Sequence, residues 1–211
     1  MRLFRPGARV AFTLIELMVV MTIIVILLVL AVPAFNSIGK ASSLTNGATA
    51  VADELKLARQ IATARNRKVT MRLYKLKGEV GATQEYRAVR LFMVDDKGVL
   101  SPAASIKRLP PGIIMVSTDN FSTLLGTSNP PPNGINTENL PDAPDTPFKQ
   151  IEFLPTGGTS LAQAGAQSGA DKWFVTVKAE TAPAGKAGMP APNFVTVMLD
   201  PVTGRVRTFQ P

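Results

Sequence analysis

Between Phe12 and Phe35 the chain reads FTLIELMVVMTIIVILLVLAVPAF, with one ionisable side chain, Glu16, and only Thr13 and Thr22 as further polar residues. A carboxylate in such a run costs a few kcal/mol unless a positive partner compensates it. A partner would arise if the bond between Ala11 and Phe12 were cut, because the new α-amine of Phe12 is a cation. Only one helical turn, roughly 6 Å, separates that amine from Glu16. Within one helix the geometry is awkward, but the amine of a neighbouring, axially staggered copy reaches the carboxylate. In low dielectric such a pair would be strong and would set the stagger between copies. Glu16 also stands in the first turn of the helix left by the cut, where the dipole favours an anion.

Elsewhere the residue types that carry chemistry are scarce. The 211 residues include no His and no Cys. Their lack removes thiol nucleophiles, imidazole acid–base chemistry and the usual zinc and copper ligands. It also removes any disulfide framework, so the fold must stand on its core. Asp95 and Asp96 fall in a turn, where they serve turn geometry, and no loop of spaced Asp, Asn and Glu accompanies them to hold calcium. Gly157-Gly158 and Gly185 lack the spacing of a phosphate or dinucleotide loop, and Trp173 reads as core. No catalytic residue, metal site or cofactor is expected, and the chain does not read as an enzyme. Arg205 and Arg207, two apart on a strand, share a face and are candidate contacts for nucleic-acid phosphates. The competing reading is a solvated edge strand whose positive charge discourages aggregation.

The elements around Glu16 give it a setting. As a helix, Leu17 to Phe35 spans roughly 28 Å, about the hydrocarbon thickness of a bilayer. Arg2, Arg5 and Arg9 precede it, whereas Lys40 on the far side is offset by Asp53 and Glu54. This bias puts the amino terminus in the cytoplasm and sends the remainder across the membrane. The formal charge is +8, from 23 Lys and Arg against 15 Asp and Glu, and without the three leader arginines it is 20 against 15, or +5. An excess of that size fits a soluble surface better than a nucleic-acid footprint. Two other readings of the segment stay open: an uncleaved signal anchor, and a secretory signal with Val32-Pro33-Ala34 as its small-residue site before Phe35.

Beyond Phe35 the apolar residues Ile38, Ala41, Leu44, Ala48, Val51, Leu55, Ala58 and Ile61 or Ala62 recur every three or four positions, as on one face of a helix. One helix from about Phe12 to Asn66 is expected, with Pro33, Gly39 and Gly47 as its weak points. After Arg67 the period becomes two. Strands are expected around Val69–Tyr74, Val89–Val94, Ile113–Val116, Ile151–Leu154, Trp173–Val177, Phe194–Leu199 and Arg205–Phe209, the last two joined through Asp200–Gly204. A long helix followed by an antiparallel sheet is an α+β fold. The organisation is a basic leader over 1–11, a membrane helix over 12–35, its amphipathic continuation over 36–67, and a β-rich domain over 68–211. Residues 117–148, rich in Asn, Pro, Ser and Thr, read as a flexible insertion in that domain.

The segment Ala11-Phe12-Thr13-Leu14-Ile15-Glu16 resembles the processing and N-methylation motif of type IV pilins and type II secretion pseudopilins. In that family a basic leader is removed before a Phe. A Glu follows four residues later and a helix-kinking Pro twenty-one residues later, positions held here by Glu16 and Pro33. Ala11 stands where the family usually has Gly. Leu55-Lys56-Leu57-Ala58-Arg59, Ile151 to Gly158, and the closing Gly204-Arg205-Val206-Arg207 are similar to tracts of H-type minor pseudopilins and FimT-like pilins. The insertion-bearing protein D of the Verru_Chthon cassette is a further resemblance. The family implies a structural subunit of a type II secretion pseudopilus or type IV filament, with prepilin peptidase, sister subunits and the inner membrane as partners. Ala11 and Phe12 would then serve processing, and Glu16 and Pro33 filament assembly. The implied location is a single inner-membrane pass with a cytoplasmic amino terminus and a periplasmic β-rich domain. FimT-like members imply DNA capture as the alternative role, at Arg205 and Arg207.

Overall fold

The computed structural model describes residues 13–78, 84–95, 98–118, 120–126, 133–136, 146–161, 172–183 and 192–210; the side chains of 30–38 and 133–136 lie outside that description. The first element is α1 (Leu14–Arg65). It ends where Asn66 turns to a left-handed φ of 50°. There the Arg67 N–H reaches back to the Ala62 carbonyl at 3.1 Å, a C-terminal cap in which Asn takes the place usually held by Gly. The chain divides into two compact units, residues 1–40 and 41–211.

In the second unit, residues 41–65 of α1 lay Leu44, Ala48, Val51, Ala52, Leu55, Ala58 and Ala62 into the core. From Leu44 onward the expected three-and-four spacing of apolar residues is therefore the packed face, whereas Ala41 is exposed and the Ile38 side chain lies outside the description. Gly47 belongs to that face for a steric reason: a Cβ there would come within 2.8 Å of Ile113 Cγ2. The small residues Gly47, Ala48 and Ala52 let the helix approach the sheet closely.

The strands are β1 (Val69–Lys77), β2 (Gln84–Val94), β3 (Leu100–Pro102), β4 (Lys107–Arg108), β5 (Ile113–Met115), β6 (Asn133–Asn136), β7 (Thr146–Phe153), β8 (Trp173–Ala179), β9 (Phe194–Leu199) and β10 (Val206–Phe209). They form one antiparallel sheet in the order β10-β9-β8-β5-β2-β1-β7-β6, with β3 and β4 paired to β2. The α+β expectation holds. Val69, Met71 and Leu73 of β1 join Val89, Leu91, Ile151, Phe153, Val175 and Val197 in the core cluster beneath the helix. The opposite face is not simply solvated. Tyr74, Leu76, Ala88, Phe92 and Phe148 make a second apolar cluster, flanked by Leu100 and Ile106. The Arg72 guanidinium lies 4.7 Å from the Phe92 ring centre and 4.5 Å from that of Phe148, so its stem and charged head help to cover that cluster.

The expected insertion over 117–148 is narrower in its described part. Leu124 and Leu125 are fully buried. Beyond the end of β5, hydroxyls serve β8 in place of a strand partner: the Thr176 N–H donates to Ser122 Oγ at 3.0 Å and the Phe174 N–H to Thr123 Oγ1 at 2.9 Å. Residues 146–148 belong to β7. That leaves 127–145, of which only β6 is described.

At Glu54 of α1, burial opposes the charge. Its Oε2 is buried with no hydrogen-bond partner among the described residues. Desolvation raises its carboxyl above the ordinary range, the positive charge of Lys107 opposes the rise, and Asp53 adds to it. An acid with a raised folded-state pKa contributes stability that is complete below its ordinary value of 4.5 and is lost as pH rises through the raised one. Glu54→Gln is therefore expected to raise the urea midpoint of the full chain at pH 7 and to leave it unchanged at pH 3. Equal midpoints at pH 7 would show that the carboxylate is not penalised. Glu180 and Asp200 act with the opposite sign. The hydrogen bond from Arg87 lowers Glu180, and the Thr203 backbone N–H leads in lowering Asp200, so their contributions are lost as pH falls below the carboxylate range.

Candidate functional site

Ala11 and Phe12, the expected processing pair, lie outside the described residues. The description begins at Thr13, where α1 is capped reciprocally. The Glu16 N–H donates to Thr13 Oγ1 at 3.3 Å, and the Thr13 N–H reaches back to Glu16 Oε2 at 3.5 Å. This is the capping box, Thr-x-x-Glu, and it satisfies two donors that the first turn leaves open. Glu16 thus has a role in its own helix as well as the intermolecular one expected for it. The signal lies in the sequence as Thr13-Leu14-Ile15-Glu16 before an apolar run. Thr22 is also satisfied locally, its hydroxyl donating to the Met18 carbonyl at 2.8 Å.

After this capped start, the stretch from Leu17 to Val29 is apolar on all sides. Leu17 to Met21 and Ile23 to Val29 are all exposed large hydrophobic residues. Consecutive positions point in every direction around a helix, so there is no polar face. Among the described residues no helix is long and apolar enough to cross a membrane. Leu14 to Val29 rises about 24 Å, against a hydrocarbon core of about 30 Å. Pro33 lies inside α1, with its side chain outside the description. A Cβ at Gly39 would meet nothing within 4 Å, so that glycine, unlike Gly47, is not required by packing.

In the second unit, three tracts distant in sequence converge. Arg59 of α1 donates from Nε to the Gly157 carbonyl at 3.3 Å, in the turn after β7. The turn between β9 and β10 closes on the same point. Gly204 has a φ of 62°, and a Cβ on it would overlap the Gly157 carbonyl oxygen and stand 2.9 Å from Arg59 Cδ. A Cβ on Gly158 would come within 2.6 Å of the Val202 carbonyl oxygen. The Thr159 N–H and hydroxyl both donate to the Pro201 carbonyl, at 2.8 and 3.0 Å. Helix end, central turn and last hairpin are locked by backbone contact that only glycine permits.

Arg205 and Arg207 are both exposed on that last hairpin. Arg205 lies just before β10 and Arg207 within it, opposite Met198. Asp200 binds the Val202 and Thr203 N–H groups at 2.9 and 3.1 Å, and the charge of Arg207 helps to hold its carboxyl below the ordinary range. Part of the positive field of the pair is thus answered within the hairpin. Among the described residues no cluster of acidic side chains is arranged to hold a metal.

The chain matches no protein-family model and no curated protein. Among solved structures it is similar to the minor pseudopilin EpsH from the type 2 secretion system of Vibrio cholerae, with 10% identity and a TM-score of 0.41 over 80% of this chain and 98% of that one. It is also similar to the type IV minor pilin FimU of Pseudomonas aeruginosa, with 10% identity and a TM-score of 0.45 over 81% of this chain and 93% of that one.

Proposed function

We propose that this chain is a pilin-like structural subunit, a minor pseudopilin of a type II secretion pseudopilus or of a related type IV filament. Prepilin peptidase cuts between Ala11 and Phe12, and the new amine is N-methylated. Residues 12–35 hold the subunit in the inner membrane, with the amino terminus in the cytoplasm and the β-rich unit in the periplasm, and later join the filament core. The chain is the substrate of the processing enzymes and performs no catalysis of its own.

The observation that carries this reading is a single exposed carboxylate, Glu16, at the capped start of a helical stretch, Leu17 to Val29, that is apolar on every side. Lipid tails and neighbouring apolar helices are similar environments, so a helix of this kind passes from one to the other with little hydrophobic gain or loss. Selection between them falls to the polar group. In lipid Glu16 is a costly charge. In a bundle of cleaved copies it meets the Phe12 amine of a neighbour at low dielectric, where the pair is strong. Pro33 supports the same account, because a proline inside α1 removes one backbone hydrogen bond and gives the helix a place to bend on extraction. The chemical identity of the amino terminus in protein purified from membranes tests the proposal.

A further inference from the structure

The sheet ends on one side at β10, which pairs with β9 alone among the described residues. At the turn between them the Asp200 N–H donates to the Arg205 carbonyl at 2.9 Å. In an antiparallel ladder every second residue turns its backbone to the partner strand. Arg207 and Phe209 therefore share the orientation of Arg205 and bond to β9 opposite Met198 and Thr196. That leaves the N–H and C=O groups of Val206 and Thr208 aimed out of the sheet. The edge is open: Arg207, Thr208 and Phe209 are all exposed, Phe209 by 48%.

Side chains alternate across the strand. Val206 packs against the core, so Arg205, Arg207 and Phe209 stand on the other face. Both arginines are exposed. The nearby carboxylate, Asp200, answers them only in part, since it already accepts from the Val202 and Thr203 N–H groups.

An open edge is a template for a further strand, and here the two cations decide which strand. A second β10, paired about a two-fold axis, would set the arginines of both copies on one face of the ladder. Like charges so placed oppose the pairing. We infer that the β10 edge takes an extended segment of another protein, with carboxylates at alternate positions opposite Arg205 and Arg207 and an apolar residue beside Phe209. Backbone bonds from Val206 and Thr208 hold the added strand, and the side chains select it. This docking edge depends neither on a cut before Phe12 nor on filament assembly.

The test uses the full chain in detergent, labelled with nitrogen-15, with amide hydrogen exchange at Val206 and Thr208 followed by NMR. The probe is a synthetic peptide of about six residues, a common strand length, alternating aspartate and valine. A peptide alternating lysine and valine and a short DNA duplex are the comparisons. At saturation the aspartate peptide is expected to slow exchange of both amides at least about tenfold, because each becomes a ladder donor. Arg207→Gln should weaken binding about two- to fivefold, the worth of one cross-strand charge pair. Thr208→Pro removes an outward N–H without breaking a bond to β9, and should abolish binding. Native emission from the buried Trp173 shows that these variants are folded. Equal protection by both peptides, or undiminished binding to Thr208→Pro, would overturn the docking edge. So would no protection by the aspartate peptide, and shifts at Arg205 and Arg207 with the duplex would then assign the pair to nucleic-acid phosphates.

Discussion

Gly204→Ala is expected to destabilise the β-rich unit by about 2–5 kcal/mol, combining a left-handed backbone that alanine resists with an overpacked contact. Gly204 holds a φ of 62°, and its missing Cβ leaves space filled by the Gly157 carbonyl and the Arg59 side chain. Neither neighbour yields easily. Gly157 is fixed by the hydrogen bond from its N–H to the Leu154 carbonyl, and Arg59 is anchored on α1. A loss of that size is a large share of the roughly 5–15 kcal/mol that holds a domain together. Trp173, the only tryptophan and a buried residue, reports unfolding in urea. Gly98→Ala is the matched control, since Gly98 has a φ of 78° but nothing within 4 Å of its would-be Cβ. It should lose only the backbone part, about 1–2 kcal/mol. Equal losses for the two variants would show that the three-way contact contributes nothing.

Glu16→Leu is expected to leave the chain in the membrane and to remove it from filaments. Dropping a charge from an apolar helix favours insertion, whereas the neighbour's amine loses its counter-charge. Incorporation should fall at least tenfold, which corresponds to about 1.4 kcal/mol per contact. The capping box offers a rival explanation, because Glu16→Leu also removes the 3.5 Å contact to the Thr13 N–H. Thr13→Ala separates the two. It breaks the cap, worth about 1 kcal/mol, and keeps the carboxylate. Filament recovery near wild type for Thr13→Ala, beside loss for Glu16→Leu, assigns the effect to charge pairing. Equal loss in both would reduce Glu16 to a helix cap.

The C-terminal boundary of α1 was legible because its signal is local: Asn66 follows the last periodic residue. The cap at Thr13 was not read, since the helix was expected from about Phe12. Of the strands from Ile113 onward, β5, β8, β9 and β10 were placed within two residues of their ends, whereas β6 was not expected and β7 begins at Thr146, five residues before its expected start at Ile151. The limits of alternation lie in β1 and β2. A period of two assumes one covered face, but Tyr74 and Phe92 are buried on the second. The bulge at Arg87, where the pairing of β1 with β2 slips, left no mark either, because it depends on which residues of β1 and β2 oppose each other. The roles of Gly47, Gly157, Gly158 and Gly204 depend on approaches between segments far apart in sequence. Leu124 and Leu125 were hidden by the polar composition around them. Of the candidate site, Glu16 is conspicuous in the sequence as a charge in an apolar run. The Arg59 contact is not, because its three parts come from separate tracts.

The central claim is that a cut before Phe12 creates the cation that answers Glu16. Mass spectrometry of the amino terminus, on protein purified from membranes, tests it most directly. The account predicts a chain that begins at Phe12 with its amine methylated. A chain beginning at Phe35, or one retaining Met1 and the leader, would contradict it.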